Sequence, residues 1–301
     1  MSGNSFYGPV DDVAGKAGYG DDHPPRMGFF TDTSVCIGCK ACEVACKEWN
    51  EVPVSGGGDG FNLLGTSFDN TGELGANSWR HVAFIEQPSR ERIDLGIPGF
   101  ERPGDTMSPE TRQDFRWLMS SDVCKHCTHA GCLDVCPTGA LFRTEFATVV
   151  VQQDICNGCG YCVSGCPYGV IERREGDGRA WKCTLCYDRL RDGLEPACAK
   201  ACPTDSIQFG VLDELRERAA LRVNELHERG VTEARLYGED PNDGVGGDGA
   251  FFLLLDEPEV YGLPPDPVVP TRDAGAMWRY AGMAASAMIG IAVSSFVGRR
   301  R

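Results

Sequence analysis

The sequence is poor in basic residues and does not open with a basic segment followed by an apolar one. Only 29 of the 301 residues are Lys or Arg, against 44 Asp or Glu, so the formal net charge is −15. Binding to nucleic acid needs clustered basic side chains, so this balance argues against a nucleic-acid partner. The opening segment, MSGNSFYGPVDDVAGKAG, lacks the pattern of a secretory signal peptide, so we expect no export signal of the chain's own.

Two cofactor motifs are also missing or misplaced. The sequence contains no C-x-x-C-H, the motif through which haem is attached covalently. The stretch GVGGDG (244–249) matches G-x-G-x-x-G, but a dinucleotide site needs a strand before the motif and a helix after it. Here PND precedes the motif and the strand-like AFFLLLDE follows it, so we expect a loop without a nucleotide.

What the sequence does contain is 16 cysteines, arranged in four groups of four. Each group opens with C-x₂-C and closes with C-x₃-C, and a proline follows the last cysteine of groups two, three and four. The groups are Cys36, Cys39, Cys42 and Cys46; Cys124, Cys127, Cys132 and Cys136; Cys156, Cys159, Cys162 and Cys166; and Cys183, Cys186, Cys198 and Cys202.

Group three has the spacing C-x₂-C-x₂-C-x₃-C-P of bacterial ferredoxins, in which the fourth cysteine binds a neighbouring cluster. Zinc also uses C-x₂-C pairs, but it does not require three cysteines close together and a trailing C-P. A disulfide framework is typical of short secreted domains, and this chain is long. The spacing therefore predicts four [4Fe–4S] clusters. No group position carries another residue, so a three-iron cluster is not expected.

The spacing does not decide which cysteines share a cluster. In two-cluster ferredoxins, three cysteines of one group combine with the last cysteine of a partner group. Two schemes are possible. In the first, group two pairs with group three and group one with group four; in the second, group one pairs with group two and group three with group four. The intervals from 136 to 156 and from 166 to 183 fit both schemes.

Four stretches together resemble the iron–sulfur beta subunit of the membrane-bound respiratory formate dehydrogenases. They are CIGCKACEVACKEWN, CNGCGYCVSGCPYGV, WKCTLCYDRLRDGLEPACAKACPTDSIQFG and LYGEDPNDGVGGDGAFFLLLDEPEVYGLPPDPVV. The similarity extends over roughly residues 30 to 298. Four-cluster subunits of dimethyl sulfoxide, polysulfide and nitrate reductases share the cysteine groups, and the GVGG and PEVYGLPPDP segments favour the formate branch.

The resemblance implies that group one pairs with four and group two with three. It assigns one cubane to Cys36, Cys39, Cys42 and Cys202, a second to Cys46, Cys183, Cys186 and Cys198, a third to Cys124, Cys127, Cys132 and Cys166, and a fourth to Cys136, Cys156, Cys159 and Cys162.

The resemblance also implies a function and partners. The chain would be a non-catalytic electron-transfer subunit of anaerobic respiration. It would carry electrons from a molybdopterin-bearing alpha subunit (molybdenum or tungsten) to a haem-b gamma subunit that reduces quinone in the membrane. The alternative is the iron–sulfur subunit of a related dimethyl sulfoxide, polysulfide or nitrate reductase.

The expected fold class is α+β, with duplicated ferredoxin-like domains and a C-terminal transmembrane helix. Composition predicts an arm over 1–30, a four-cluster domain over 31–210 with an insertion over 47–120, a helix and wrapping segment over 211–275, and a transmembrane helix over 276–298. We predict a paired sheet of 79–86 with 114–120, a hairpin over 140–151 and a strand over 206–210. The apolar periodicity of 211–230 predicts a helix that packs in the core and is capped by Gly230.

The segment YAGMAASAMIGIAVSSFVG (280–298) has no charge and, as a helix, would span about 28 Å. Its Ala, Ser and Gly content gives it a weak drive to insert into a bilayer, and a buried soluble helix is the alternative. Small residues recur every fourth position, so we predict docking on a membrane partner. The arginines at 299–301 favour a cytoplasmic C-terminus and a cluster domain outside the cytoplasmic membrane. For export, the family resemblance implies that the chain travels folded with a catalytic subunit that carries a twin-arginine signal.

The distribution of charged residues and three of the histidines lead to two further expectations. Residues 121–202 contain 9 Lys and Arg against 10 Asp and Glu, whereas the rest of the chain is strongly acidic. Either their basic residues raise the cluster potentials, or they form interfaces with partners; the residues are Lys125, Arg173, Arg174, Lys182 and Lys200. We expect His81, His126 and His129 to be surface or structural residues and not ligands.

Overall fold

The computed structural model describes residues 12–54, 72–87 and 116–298. The strands in these ranges are β1 Met27–Asp32, β2 Arg80–Gln87, β3 Arg116–Val123, β4 Leu141–Arg143, β5 Val149–Val151, β6 Glu172–Arg173, β7 Ala180–Trp181, β8 Ile207–Val211, β9 Arg235–Tyr237 and β10 Ala250–Leu254. The helices are α1 Ala41–Trp49, α2 Gly131–Asp134, α3 Tyr161–Ser164, α4 Tyr187–Arg191, α5 Ala197–Lys200, α6 Leu212–Glu228 and α7 Ala274–Gly298.

A four-stranded mixed sheet, with strand order β8-β1-β10-β9, forms the centre of the protein. Strand β1 pairs parallel to β10 and antiparallel to β8, and β9 runs antiparallel to β10. Side chains on both faces of β1 and β10 are buried. This explains why AFFLL is apolar throughout and does not alternate with polar residues.

Helix α6 covers one face of this sheet. Its buried residues Leu212, Leu215 and Ala219 pack against Phe30 and Phe251, whose rings stack with centroids 5.3 Å apart. The predicted helix over 211–230 is confirmed as a core-packed helix. The predicted cap is also confirmed, because Gly230 follows the C-cap residue with φ of 88° and donates its N–H to the carbonyl of His227.

The other face of the sheet packs against the cysteine-rich part of the chain. Phe29 and Phe252 belong to one buried apolar cluster together with Cys46, Cys124 and Cys183. The alternation of side chains along a strand thus gives each face its own role. Phe29 faces the cysteines, whereas its neighbour Phe30 faces α6.

Short two-stranded ladders surround the cysteines. Strands β2 and β3 pair antiparallel over eight residues, which confirms the predicted pairing; positions 114 and 115 of the second predicted strand lie outside the described residues. Strands β4 and β5 form the predicted hairpin, and β8 confirms the predicted strand at 206–210. Residues 244–249 form a loop followed by β10, as predicted.

The described part of the predicted N-terminal arm is packed against the rest of the protein. Val13 and Ala14 are buried with Ala147, and β1 already begins at Met27. The first part of the insertion predicted over 47–120 is rich in glycine, which favours a loop, and most of that part, 55–71, lies outside the described residues. The domain boundaries proposed from composition stay predictions.

Helix α7 confirms a helix at the C-terminal segment but not its membrane-spanning character. In the described ranges, no helix combines the length and the apolar content needed to cross a membrane. The predicted transmembrane helix over 276–298 is therefore unsupported. Side chains from Trp278 to Phe296 are exposed, so α7 is not buried against the rest of the described chain, and the alternative of a buried helix finds no support within the chain itself.

Candidate metal centres

All sixteen cysteines lie in described residues, and all are free thiols. Twelve of them line three cavities, four to each, and the last four are close enough to one another to interact electrostatically. We name these positions sites A to D. Site A has Cys36, Cys39, Cys42 and Cys202; site B has Cys46, Cys183, Cys186 and Cys198; site C has Cys124, Cys127, Cys132 and Cys166; site D has Cys136, Cys156, Cys159 and Cys162.

The thiols of each cavity surround a space and do not converge on a point. In the part of the chain that the structure describes, no group of three or more His, Cys, Asp or Glu side chains is close enough to hold a single ion. Site D is defined by electrostatics: burial raises the pKa of Cys162 to about 11, and the charges of Cys156, Cys136 and Cys159 contribute. The four sets have the same members as those implied by the sequence resemblance.

Left-handed backbone conformations form the loops around the sites. In the loop of site A, Gly38 has φ of 64° and Lys40 has φ of 59°; in site B, Cys186 has φ of 48°. Such conformations are costly for residues other than glycine and cluster at functional sites. At Gly38 a Cβ atom would lie 2.7 Å from Met119 Sδ and from a ring carbon of Phe84, so only glycine fits there.

Short helices link the sites in pairs. Cys42 and Cys46 lie on α1, one turn apart, and line sites A and B respectively. The C-x₃-C segment that begins on α5 likewise connects site B to site A. The segments that begin on α2 and α3 connect sites C and D. Residues four apart on a helix lie on the same face, one turn apart along the axis. The two cysteines of a C-x₃-C segment can therefore bind two clusters that lie next to each other.

Two chain segments join site B to site C. Val123 lines site B and the next residue, Cys124, lines site C; Lys182 lines site C and the next residue, Cys183, lines site B. The order of the sites is therefore A, B, C, D. Each end site contains one exposed cysteine, Cys39 in A and Cys159 in D, whereas all four cysteines of site B are buried.

Burial disfavours the charged thiolate form of the cysteines in sites B and C unless a nearby positive charge compensates it. It raises the pKa of Cys46, Cys127 and Cys183 well above the ordinary thiol value, and neighbouring cysteines raise it further. A bound metal deprotonates a coordinating thiol outright. Four buried thiols around one cavity therefore fit a cluster that supplies the compensating positive charge.

Hydrogen-bond donors point at the sulfurs. Arg80 Nη2 lies 3.2 Å from Cys198 Sγ, and the backbone N–H groups of Leu185 and Ala180 donate to Cys183 Sγ and Cys156 Sγ at 3.3 and 3.4 Å. Asn50 Nδ2 lies 3.7 Å from Cys186 Sγ. Donors of this kind stabilise negative charge on sulfur and tune the potential of an iron–sulfur cluster.

Sequence reasoning missed three residues that contact these sulfurs or connect them: Asn50, Arg80 and Ser121. Asn50 lies at the end of the stretch CIGCKACEVACKEWN, four residues after Cys46, so helical spacing was a usable signal. Arg80 and Ser121 lie in paired strands β2 and β3, far in sequence from Cys198 and Cys42, and their proximity to these sulfurs arises only from the fold.

The histidines are structural. His81, His126 and His129 are all buried, so the surface part of that expectation is wrong. The Nδ1 of His126 accepts a hydrogen bond from the backbone N–H of Val149 at 3.1 Å. Burial, followed by nearby cations such as Lys182, keeps the pKa of His126 well below its ordinary value, so this imidazole is neutral.

The five basic residues singled out in the nearly neutral segment 121–202 fall into two classes by burial. Lys125 and Lys182 are buried, with 1% and 2% of their surface exposed. Lys182 donates to the carbonyl of Cys183 at 2.9 Å, next to a cluster ligand candidate. Arg173 and Lys200 are exposed and Arg174 is half-buried. The buried lysines lie inside the protein among the sites, and the other residues lie towards the surface; both expectations for these residues stay predictions.

The cysteine sets, their order and the short helices between them define a ferredoxin-type protein with a row of iron–sulfur sites. Two family models, both described as a 4Fe-4S dicluster domain, match residues 35–140 and 115–212. Two dicluster domains with sixteen cysteines amount to four [4Fe–4S] clusters, so that prediction is confirmed and the zinc alternative is wrong.

Curated relatives narrow the class further. The nitrate-inducible formate dehydrogenase iron–sulfur subunit of Escherichia coli (strain K12) is 37% identical over 264 residues, 86% of this chain and 79% of that protein. The formate dehydrogenase iron–sulfur subunit of Haemophilus influenzae is 39% identical over 252 residues, 82% of this chain and 72% of its own length. The B subunit of the anaerobic dimethyl sulfoxide reductase of E. coli is 34% identical over 193 residues, 64% of this chain and 77% of its length.

The chain belongs to the family of formate dehydrogenase iron–sulfur subunits. Identity over most of both chains carries this assignment, and the dimethyl sulfoxide reductase subunit matches a smaller part of the chain. The family resemblance predicted from the four sequence stretches is confirmed.

Proposed function

We propose that the chain is the electron-transfer subunit of a formate dehydrogenase complex. It carries electrons from a molybdopterin catalytic subunit, through its four [4Fe–4S] clusters, to a haem-b subunit that reduces quinone in the membrane. The observation that carries this proposal is the single row of sites A, B, C and D, in which only the end sites have an exposed cysteine among the described residues. A row that is closed in its middle and open at its ends suits a donor at one end and an acceptor at the other.

The proposed ligands of the four clusters are the cysteines of sites A to D as defined above. When bound, each cluster accepts and releases one electron. The chain itself positions the clusters through helices α1, α2, α3 and α5, excludes water from site B, and directs N–H donors at the sulfurs. None of these tasks is catalytic, which agrees with an iron–sulfur subunit that serves a separate active site.

We further propose that α7 docks on a membrane-embedded partner and that the cluster domain lies on the extracytoplasmic side of the cytoplasmic membrane. In support, α7 exposes Met283, Ile289 and Ile291 to an extent of 65–67%. The hydroxyls of Ser286 and Ser294 donate to backbone carbonyls of α7 itself, so these polar groups need no partner. Small residues along the helix allow the close approach of another helix.

The proposal is tested by purifying the complex anaerobically from its own cell and assaying formate-dependent quinone reduction. We expect formate to reduce the clusters of this chain, and quinone to reoxidise them. A complex that instead oxidises its clusters with dimethyl sulfoxide, polysulfide or nitrate, and does not respond to formate, would replace this function with the reductase alternative, which the 34% identical relative favours.

The position of α7 has its own test. Membranes that contain the complex are washed with high salt, and the full chain is compared with a variant that ends after Asp273. We expect the full chain to stay with the membranes and the shortened chain to dissociate from the haem subunit. Release of the full chain by salt, without detergent, contradicts the docking proposal.

A further inference from the structure

Arg80 lies at the contact between sites A and B. It is among the largest fully buried side chains in the described residues, with 2% of its surface exposed. It lines the site B cavity, and its Nη2 atom donates to Cys198 Sγ at 3.2 Å. Its Nη1 atom donates to the carbonyl oxygen of Ser121 at 3.1 Å and lies 3.3 Å from Ser121 Oγ.

Ser121 connects the same guanidinium to site A. The oxygen Ser121 Oγ lies 3.2 Å from Cys42 Sγ, a thiol of site A. The row Cys198, Arg80, Ser121 and Cys42 is therefore a continuous set of polar contacts from one site to the next. Strand pairing creates it, because Arg80 is opposite Val123 and Ser121 is on the same strand as Val123.

The charge of Arg80 needs an anion, and the sulfurs provide it. In the described ranges, Arg80 forms no ion pair with a carboxylate, and its Nε has no hydrogen-bond partner. A buried cation without a partner strongly destabilises the folded protein. An arginine guanidinium stays protonated in proteins, so Arg80 is a fixed cation in contact with Cys198 Sγ.

Charge on these sulfurs changes when a cluster is reduced. A [4Fe–4S] cubane with four thiolates carries about −2 when oxidised and about −3 after it takes one electron. A fixed buried cation within hydrogen-bond distance of a ligand sulfur stabilises the reduced form more than the oxidised form. The effect is strong in a low-dielectric interior, where little water screens it.

We propose that Arg80 raises the reduction potentials of the clusters in sites A and B together, and so keeps these two neighbours close in potential. This inference rests on the proposed ligand sets. Arg80 acts on the clusters through their ligand sulfurs by placing a positive charge beside them, and it has no catalytic role. The phenyl ring of Phe29, whose centroid lies 4.9 Å from the guanidinium carbon, holds it against the central sheet.

The test is a redox titration of the anaerobically purified full complex, followed by electron paramagnetic resonance. Arg80→Met keeps the apolar bulk and removes the charge. We expect the reduced-to-oxidised ratio at a fixed ambient potential to fall about tenfold for the clusters of sites A and B, equal to about 59 mV for one electron. The clusters of sites C and D stay unchanged and serve as internal references.

Three further variants make the result specific. Arg80→Lys retains the charge, so both potentials stay closer to wild type. Ser121→Ala breaks the contact with Cys42 and lowers the potential of site A alone. Arg174→Met is the matched control, because that guanidinium stacks on Trp181 at 3.6 Å and donates hydrogen bonds to oxygen atoms of the segment 76–77. We expect this control to leave all four potentials unchanged.

The outcomes separate this inference from the proposed function. Unchanged potentials at sites A and B in Arg80→Met, or an equal change at all four sites, overturn the role of Arg80 and leave the function intact. If Arg80→Met loses the cluster of site B, the comparison of Arg80→Lys and Ser121→Ala with wild type decides instead. Failure of formate to reduce any cluster of the wild-type complex overturns the function, whatever the potentials are.

Discussion

Cys42 and Cys46 lie one turn apart on α1, and their sulfurs line two different cavities, sites A and B. A helix rises 1.5 Å per residue, so the two attachment points are about 6 Å apart along its axis. The helix therefore fixes the separation of two neighbouring clusters through its own hydrogen bonds. The C-x₃-C segments that begin on α2, α3 and α5 also connect two sites each, with the second cysteine just beyond the helix.

This geometry predicts that Cys42 and Cys46 bind different clusters, so that one cluster can be removed without the other. Cys46→Ser removes a thiol from site B and leaves the four thiols of site A in place. We expect the iron content to fall by about four atoms from about sixteen per chain, and one paramagnetic signal to disappear. Cys42→Ser is the matched variant and removes a different signal. Loss of the same signal in both variants would contradict the assignment of the two sulfurs to separate clusters.

The buried charge of Lys182 should affect potentials, whereas the exposed charge of Lys200 should not. Lys182 is 2% exposed and lines site C next to Cys183 of site B. Lys182→Gln removes a positive charge from this position, so we expect lower potentials for the clusters of sites B and C in a redox titration. Lys200→Gln, on a side chain that is 72% exposed, is the control and leaves all four potentials unchanged. Identical titrations for the two variants would rule out tuning by Lys182.

Position 38 favours glycine for two reasons: its backbone is left-handed, and neighbouring side chains leave little room for a Cβ atom. Its φ of 64° costs an alanine about 1–2 kcal/mol, and an added Cβ would also press against Met119 and Phe84. We expect Gly38→Ala to lower the free energy of unfolding by more than about 2 kcal/mol in anaerobic denaturant titrations. Gly262→Ala, at φ of 72° with no atom within 4 Å, carries only the backbone strain and loses about 1 kcal/mol. Equal losses in the two would show that the contacts at Gly38 are relieved easily.

The central sheet should be sensitive to truncation on the face that α6 covers. Phe251 is fully buried and stacks on Phe30. Phe251→Ala removes a large apolar side chain, and we expect the free energy of unfolding to fall by about 3–5 kcal/mol. Leu221→Ala is the control on α6, since Leu221 is 71% exposed, and it changes stability by less than about 0.5 kcal/mol. A small effect at Phe251 would mean that this face of the sheet does not hold the fold together.

Local patterns predicted much of this structure. Helix α6, the pairing of β2 with β3 and the hairpin of β4 with β5 all follow from periodicity over a few residues. The cysteine spacing predicted the clusters, because a cubane needs several thiolates within one short loop. The sequence did not decide the partner groups, since three-plus-one sharing depends on long-range packing.

The residues around the sulfurs were harder to predict. Arg80 approaches Cys198 across 118 positions of sequence, and Ser121 approaches Cys42 across 79. Only the pairing of β2 with β3, together with its packing against α1 and α5, brings them together. The parallel pairing of β1 with β10 across more than 200 residues was likewise beyond any local signal.

The most direct test of the central claim is to count electrons and metal in the wild-type chain, purified anaerobically within its complex. Iron analysis and a reductive titration of the signals of this chain are made on the same sample. The account predicts about sixteen irons and four one-electron reductions per chain, with magnetic interaction between neighbouring clusters. Zinc in place of iron, or fewer than four reductions in a fully iron-loaded chain, would contradict it.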